Sequence, residues 1–388
     1  MTTRYPAKDQ VAVVGVGSTG FSRDAGKSSA ALAADASIAA IRDAGLTRDD
    51  IDAVIVAAEP GAPAPHQLAS MLGIPTITHH TRPTPVAAFA LIDAVNAVFA
   101  GTCDTALVCF SLMRTPGASR SSTGDPFRRN LIMGTPSYPE SAAMAAAYAA
   151  WASRYVYEYG ARREDFGHVA INGRTNAAQN PLAVMRAPLS MDDYLASRMI
   201  REPLCLFDMD VPVDGADAFV VTTSERARQL PHPPVLVHAA TAGLVGTNDE
   251  DQLPSLRRHG QHVVVDRLKA ISDIWIDDVD VYLPYDGFSI ITLGWIENTG
   301  WCAPGEAGRF LETHWDSANN RVLINGRIPM NPHGGSLSEG ATRGSGHVRE
   351  AVVQLRGDAG DRQVSGARTA LVTPGGFFFN SQGVVLRT

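Results

Sequence analysis

Cys103-Asp104-Thr105-Ala106-Leu107-Val108 and Ala367-Arg368-Thr369-Ala370-Leu371-Val372 carry the same pattern, a polar step followed by a β-branched and apolar run. Each reads as a buried strand. A second pair lies upstream of them. Asp49-Asp50-Ile51-Asp52-Ala53-Val54 is matched by Asp277-Asp278-Val279-Asp280-Val281-Tyr282. A helical pattern precedes the later strand in both cases. From Pro85 to Ala100, residues Ala88, Leu91, Val95 and Val98 fall on one face, and Gly101 ends the run. From Gly346 to Leu355 the same face is made by Val348, Ala351, Val352 and Leu355. Two units of the same order point to an internally duplicated α/β domain.

Working outward, Gln10 to Gly17 reads as a first buried strand, and Ser28 to Ala44 as an alanine-rich helix closed by Gly45. Asp52 to Ala58 and Val235 to His238 supply further strands. Alternating strands and helices imply a mostly parallel sheet covered by helices. The character changes between the halves. Thr115 to Asn130 is rich in Ser, Gly, Pro and Arg, Ser141 to Tyr159 is an alanine-rich helix, and Gly173 to Tyr194 is polar. The expected division is residues 1–111 as an N-terminal half and 112–230 as an inserted loop domain, with part of the first half returning near 205–224. Residues 231–388 form the C-terminal half, entered through Pro231-His232-Pro233-Pro234.

The 388 residues carry a formal charge of −7 and are 45% hydrophobic. An acidic chain without clustered basic residues disfavours a nucleic-acid partner. No apolar run is long enough to span a membrane, and Met1 to Asp9 has no signal-peptide core. Cys103, Cys109, Cys205 and Cys302 are scattered, with no CxxC pair, so neither a metal site nor a disulfide framework is expected. These readings fit a reduced, cytoplasmic protein. Gly15-Val16-Gly17-Ser18-Thr19-Gly20 has the form GxGxxG after a strand. No acidic residue follows at the end of a second strand at the usual distance, which argues against a dinucleotide site.

Several ordered segments carry a resemblance. They are Asn176-Ala177-Ala178-Gln179-Asn180-Pro181, Tyr194 to Ile200, Asp214-Gly215-Ala216-Asp217-Ala218, Tyr285-Asp286-Gly287-Phe288-Ser289, Cys302 to Glu306 and Asn331 to Gly340. In order and spacing the chain resembles the sterol-carrier-protein-x, or lipid-transfer, class of the thiolase superfamily. That resemblance implies a thiolase fold, a duplicated αβαβα layered core with an inserted loop domain.

Thiolases of this class attack with a cysteine at the N-terminus of the first buried helix. There the helix dipole favours the thiolate. Counting back from Gly101 and Asp104, the corresponding residue here is Thr84, and no cysteine precedes Cys103. A threonine before a helix also serves as an N-cap. The GHP histidine of thiolases is replaced by Ala341, and their CxG turn by Thr373-Pro374-Gly375-Gly376. Acyl-cysteine chemistry is therefore excluded. What remains possible on a bound CoA thioester is enolate chemistry, aldol or retro-aldol, of the kind the cysteine-free aldolases of steroid side-chain degradation perform. The resemblance to that branch implies a homodimer and a small OB-fold, zinc-ribbon partner. It implies no covalently bound cofactor and CoA only as part of the substrate. That branch uses tyrosines; Tyr285 matches one, and the second falls at Ala341.

The expected catalytic residues are thus Tyr285 and His333, the latter chosen because a loop imidazole suits proton transfer near neutrality. Thr84, Asp286, Gly334, Gly335, Gly375 and Gly376 are expected to contact substrate, with no metal site. The glycine pairs serve turn geometry equally well. Two other readings stay open, a non-catalytic acyl-CoA or lipid-binding subunit and a cysteine-free acyltransferase. A dimer through the N-terminal half, with Asp104 to Phe110 as a candidate edge strand, is also expected.

The missing nucleophile generates the first prediction. The purified chain does not cleave a 3-ketoacyl-CoA with free CoA, and intact-mass measurement finds no acyl adduct on it. A robust thiolytic rate, or an acyl group trapped on Thr84, would refute this.

Overall fold

The computed structural model describes residues 5–83, 87–113, 143–245, 255–377 and 381–388. Chain order in the first half runs β1 (Val11–Ser22), α1 (Ser29–Asp43), β2 (Ala53–Val56), α2 (Pro65–Leu72), β3 (His79–Thr81), α3 (Ala87–Phe99) and β4 (Thr105–Leu112). Two helices of the middle segment follow, α4 (Ala143–Tyr159) and α5 (Arg163–Ala177), and then strand β5 (Asp214–Thr223). The second half contributes β6 (Val235–Gly243), α6 (Gly260–Ile271), β7 (Val281–Pro284), α7 (Ser289–Thr299), the short turn α8 (Gly335–Ser338), α9 (Ser345–Arg356), β8 (Thr369–Thr373) and β9 (Ser381–Arg387).

Nine strands form one sheet in the order β3-β2-β4-β5-β1-β6-β9-β8-β7. The duplication is physical. β2 pairs parallel with β4, Ala53 beside Ala106, and β7 pairs parallel with β8, Val281 beside Ala370. An aspartate before the first strand of each pair caps the start of the second. Asp52 accepts from the amides of Asp104 (2.9 Å) and Thr105 (2.8 Å), and Asp280 accepts from Arg368 (2.9 Å) and Thr369 (3.1 Å). The repeated sequence pattern thus encodes the same strand-start cap twice. The last strand of each half, β5 or β9, runs antiparallel to both neighbours.

Three apolar clusters sort the layers. α1 and α2 cover one face of the N-terminal strands. α3 and α9 share the cluster between the halves, with Leu91, Val95 and Val98 packed with Val348, Val352 and Leu355. α6 and α7 cover the C-terminal strands together with α4 and α5. The two central helices therefore present their N-terminal ends to one place. The amide of Ala87 at the start of α3 donates to the carbonyl of Arg343, just before α9 (3.4 Å).

Two expectations need correction. The sheet is mixed rather than mostly parallel, since only β2 with β3, β2 with β4 and β7 with β8 pair parallel, the central strands running antiparallel to their neighbours. β4 is not an edge strand, because it lies between β2 and β5; the sheet ends at β3 and β7. Pairing on both sides uses the backbone groups that an edge would offer. A second point concerns Gly15 and Gly17. A Cβ on Gly17 would lie 2.1 Å from the carbonyl oxygen of Ala36, and one on Gly15 2.3 Å from that of Ala40. These glycines let β1 lie directly on the α1 backbone, which accounts for the first two glycines of the GxGxxG form.

Gly17→Val should accordingly destabilise the protein by about 3 kcal/mol through overpacking. Thermal unfolding would show this as a lowered Tm. An unchanged Tm would contradict the contact.

Candidate functional site

Tyr285 follows β7, and its amide extends the ladder to β8 by donating to Thr373 O (3.1 Å). Its side chain is buried and folds over Gly287, where a Cβ would come within 2.7 Å of the hydroxyl. Thr292 Oγ1 anchors the Tyr285 carbonyl (3.1 Å). The tight turn between β7 and α7 is thus fixed at both ends.

Asp286, the next residue, is the hub. Its carboxylate accepts from the amides of Ser336 (2.6 Å) and Leu337 (3.3 Å) in α8 and from His347 Nε2 in α9 (3.1 Å). A Cβ on Gly335 (φ +63°) would sit 1.9 Å from Asp286 Oδ2, and one on Gly334 (φ +103°) 2.6 Å from Ala177 Cβ. The pair therefore gives the chain the left-handed turn it needs to wrap onto Asp286.

The imidazoles stand in a row behind Tyr285. The His347 ring lies 5.7 Å from that of Tyr285 and 4.7 Å from that of His333, edge-on to the latter. His333 is wholly buried, and neither of its ring nitrogens has a hydrogen-bond partner among the described residues; His347 Nδ1 is likewise unpartnered. Glu339 Oε2, also unpartnered, lies 4.0 Å from His333 Nε2. Burial, reinforced by His347, Arg349 and Arg362, holds the His333 pKa well below the usual imidazole range. His333 is therefore a neutral base.

A buried charge cluster supports this row. Arg349 bonds Asp217 on β5 (2.5 Å) and also Glu339, and Ser345 Oγ donates to Asp217 (2.6 Å). Burial raises the Glu339 carboxyl, although Arg349 opposes the shift. From the middle segment, an asparagine series holds the His333 loop. Asn172 Nδ2 donates to Met330 O (2.9 Å), Asn176 Nδ2 to Asn331 O (3.2 Å) and Asn180 Nδ2 to His333 O (2.8 Å). The polar reading of Gly173 to Tyr194 missed this, because α5 has unusually many buried polar side chains and so little apolar periodicity.

Two further groups went unnoticed in the sequence. Glu59, buried after β2, lies 3.3 Å from Arg343 Nε. Burial disfavours the Arg343 charge, but Glu59, Tyr285 and Asp210 outweigh it, and Arg343 also hydrogen-bonds Tyr285. A cation thus stands beside Tyr285 at the start of the central helices. Only tertiary contact joins residue 59 to residue 343, so no local signal could have found the pair.

The remaining expected site residues are more dispersed. Thr84 lies outside the described residues. The Gly375 carbonyl accepts from Trp295 Nε1 (2.8 Å), and that of Gly376 from Ser381 Oγ. These bonds fix the turn that replaces the thiolase CxG motif. Burial pushes the thiols of Cys103, Cys109 and Cys302 up to about 12 and raises Cys205, so each is held as the thiol at neutral pH. Among the described residues, no group of three or more His, Cys, Asp or Glu is placed to hold a metal ion, and no helix is long and apolar enough to cross a membrane.

The duplicated fold and a site built at the paired helix starts define a thiolase-fold protein that works without an acyl-cysteine. Residues 261–388 match the thiolase C-terminal domain-like family. The chain is 34% identical to a steroid side-chain-cleaving aldolase of Thermomonospora curvata, with 94% of each chain covered. It is 33% identical to a 17-hydroxy-3-oxo-4-pregnene-20-carboxyl-CoA lyase of Mycobacterium tuberculosis, covering 94% of this chain and 96% of that one. Among solved structures, the Ltp2-ChsH2(DUF35) aldolase superposes with a TM-score of 0.85 at 30% identity, covering 98% of each chain. The chain belongs to the thiolase-fold aldolase family and is a carbon–carbon lyase, not an ordinary thiolase.

The buried, neutral His333 gives a pH prediction. Its folded pKa lies below the unfolded value of 6.5. The unfolded chain thus takes up the proton first, and the associated stability is full above about pH 6.5 and is lost as pH falls below it. In NMR the His333 ring should keep the chemical shift of the neutral form through the pH range in which an ordinary histidine titrates. A midpoint at or above about 6.5 would contradict the burial argument.

Proposed function

We propose that this lyase cleaves, by retro-aldol reaction, the bond between the α and β carbons of a β-hydroxyacyl-CoA thioester bearing a steroid or similarly bulky acyl group. The observation that carries the reading is the row Tyr285, His347 and His333, with three buried ring nitrogens left without partners. Buried polar groups are nearly always satisfied, and those that are not tend to mark sites of function. The names of the full-length relatives, an aldolase and a CoA lyase, support the same chemistry.

In this reading the β-hydroxyl loses its proton, the Cα–Cβ bond breaks to leave a ketone and a thioester enolate, and the enolate carbon then takes up a proton. Tyr285 faces the substrate. His333, neutral, is the base that takes the β-hydroxyl proton, and the Tyr285 hydroxyl is the donor that returns one to the enolate carbon. Arg343 and the N-terminal end of α3 place positive potential where the enolate oxygen develops. Asp286 fixes the His347 ring, while Gly334 and Gly335 shape the loop that borders the substrate. Thr84 and the Gly375-Gly376 turn are assigned to the thioester end by the family resemblance of their sequence positions alone.

We further infer a cytoplasmic homodimer. With β4 inside the sheet, β3 is the free edge of the N-terminal half and the strand through which the sheet would continue into a second copy. The aldolase of similar structure is a complex with a DUF35 protein. A small partner of that kind, bringing its own zinc, is proposed here too. The loop-domain boundaries at 112 and 230 are kept as part of this proposal.

Tyr285→Phe and His333→Ala, with folding confirmed by circular dichroism, should each slow cleavage of a β-hydroxyacyl-CoA by about tenfold or more, within the range for loss of one acid/base group. Substrate binding should stay nearly intact. If both variants cleave at the parental rate the assignment falls, and the non-catalytic acyl-CoA-binding subunit, which the loss of the second tyrosine at Ala341 would favour, takes its place.

A further inference from the structure

When His333 takes a proton from the substrate hydroxyl, its ring becomes a cation in a wholly buried position. The groups around it oppose that charge. Burial, His347 and Arg349 of α9, and Arg362 just beyond that helix all hold the imidazole in its neutral form. A base so placed can take up a proton only with an anion beside it. Glu339 is the anion the fold provides. Its carboxylate is buried, and Oε2 stands 4.0 Å from His333 Nε2. Neither atom has a hydrogen-bond partner among the described residues. The separation is too long for a hydrogen bond, so the two groups meet only through charge.

The other carboxylate oxygen is anchored. Oε1 accepts from Asn180 Nδ2 (2.8 Å) and from Arg349. Asn180 Nδ2 also donates to the His333 carbonyl (2.8 Å), so one amide group fixes both the carboxylate and the loop that carries the ring. The charges of this cluster do not cancel. Arg349 serves two carboxylates, Asp217 and Glu339, while Arg362 is matched by Glu350. One negative charge is left over, and the oxygen of Glu339 that faces His333 is the one without a donor. Burying a surplus charge is costly. A glutamine in the same bonds would hold the loop without that cost.

We propose that Glu339 is a positioning residue of the lyase, the counter-ion that stabilises His333 as its ring becomes an imidazolium. The substrate O–H bond breaks, an N–H bond forms on the ring, and the carboxylate stays ionised. The pair thereby passes from one net negative charge to none, and the surplus in the core is relieved at the step that needs it. Two unit charges about 4 Å apart, at the effective dielectric of a protein, shift an equilibrium about a thousandfold. The inference rests on the lyase reading with His333 as base, and adds to it what makes a buried, cation-flanked imidazole basic enough.

The test measures steady-state cleavage of a β-hydroxyacyl-CoA by full-length variants, each checked for folding by circular dichroism. Glu339→Gln keeps the shape of the side chain and an oxygen for Arg349 and Asn180. Its kcat should fall about a hundredfold, a part of the full pair interaction, while KM stays near the parental value. In a His333→Ala background the same substitution should cost nothing further, since a counter-ion has no role without its cation. Asp217→Asn leaves Arg349 to neutralise Glu339 alone. It should lower kcat in the same direction by a smaller factor, again only while His333 is present, and this second cycle decides the matter if Glu339→Gln does not fold. A parental kcat in Glu339→Gln, or its full loss repeated in the His333→Ala background, would overturn the proposal. A parental rate in His333→Ala itself would instead overturn the lyase role of His333.

Discussion

The carboxylate of Asp286 is the constraint on which the site depends. It ties the β7–α7 turn to the first amides of α8 and to His347 on α9, three segments far apart in sequence. A buried carboxylate is costly unless its oxygens are satisfied, and here two amides and an imidazole satisfy them. The arrangement in turn dictates glycine at 335, because any side chain there would collide with the carboxylate. It also sets the His347 ring between Tyr285 and His333. One residue therefore determines the approach of a helix, the conformation of a loop and the line-up of three rings.

Around that hub the protein keeps charge inside at some expense. Arg349 bridges Asp217 and Glu339 deep in the core. A pair of this kind adds little net stability against apolar residues of the same size, but losing one partner leaves an uncompensated buried charge. Its value is positional: it locks β5, α9 and the Glu339 loop in one arrangement, with Glu339 beside His333. The middle segment contributes through Asn172 and Asn176 of α5 and Asn180 just beyond it, which bind backbone carbonyls of the His333 loop. Reactive groups held on such a frame need little reorganisation when charge develops.

The duplicated architecture explains how a thiolase fold can lose its nucleophile and still bring chemistry to one point. The paired strand-start caps at Asp52 and Asp280 align the two halves, and the central helices α3 and α9 then begin side by side. That geometry survives replacement of the cysteine and the GHP histidine. In their place stand a charged Arg343, Tyr285 and the imidazole row, a set suited to moving protons rather than forming an acyl-enzyme.

Much of this could be read from residues alone. The matched runs at Thr105 and Thr369 fixed two strands and the duplication, since burial of a strand depends on local apolar pattern. The absence of cysteine before Cys103 and the presence of Ala341 removed thiolysis, since chemistry cannot proceed without its atoms. Tyr285, Asp286 and His333 were singled out by their motifs, and they do lie close together. The sequence could not show that Asp286 is a structural hub, that His347 stands between the other two rings, or that Glu59 meets Arg343. Nor could it show that β4 is interior, that α5 is a helix with a buried polar face, or that Glu339 faces His333. Each of these depends on contacts between residues distant along the chain, and neither periodicity nor composition carries that information. The sequence by itself determined which elements form and which reaction is impossible; the tertiary structure alone decided which buried groups face one another and, through desolvation, which of them carry a proton.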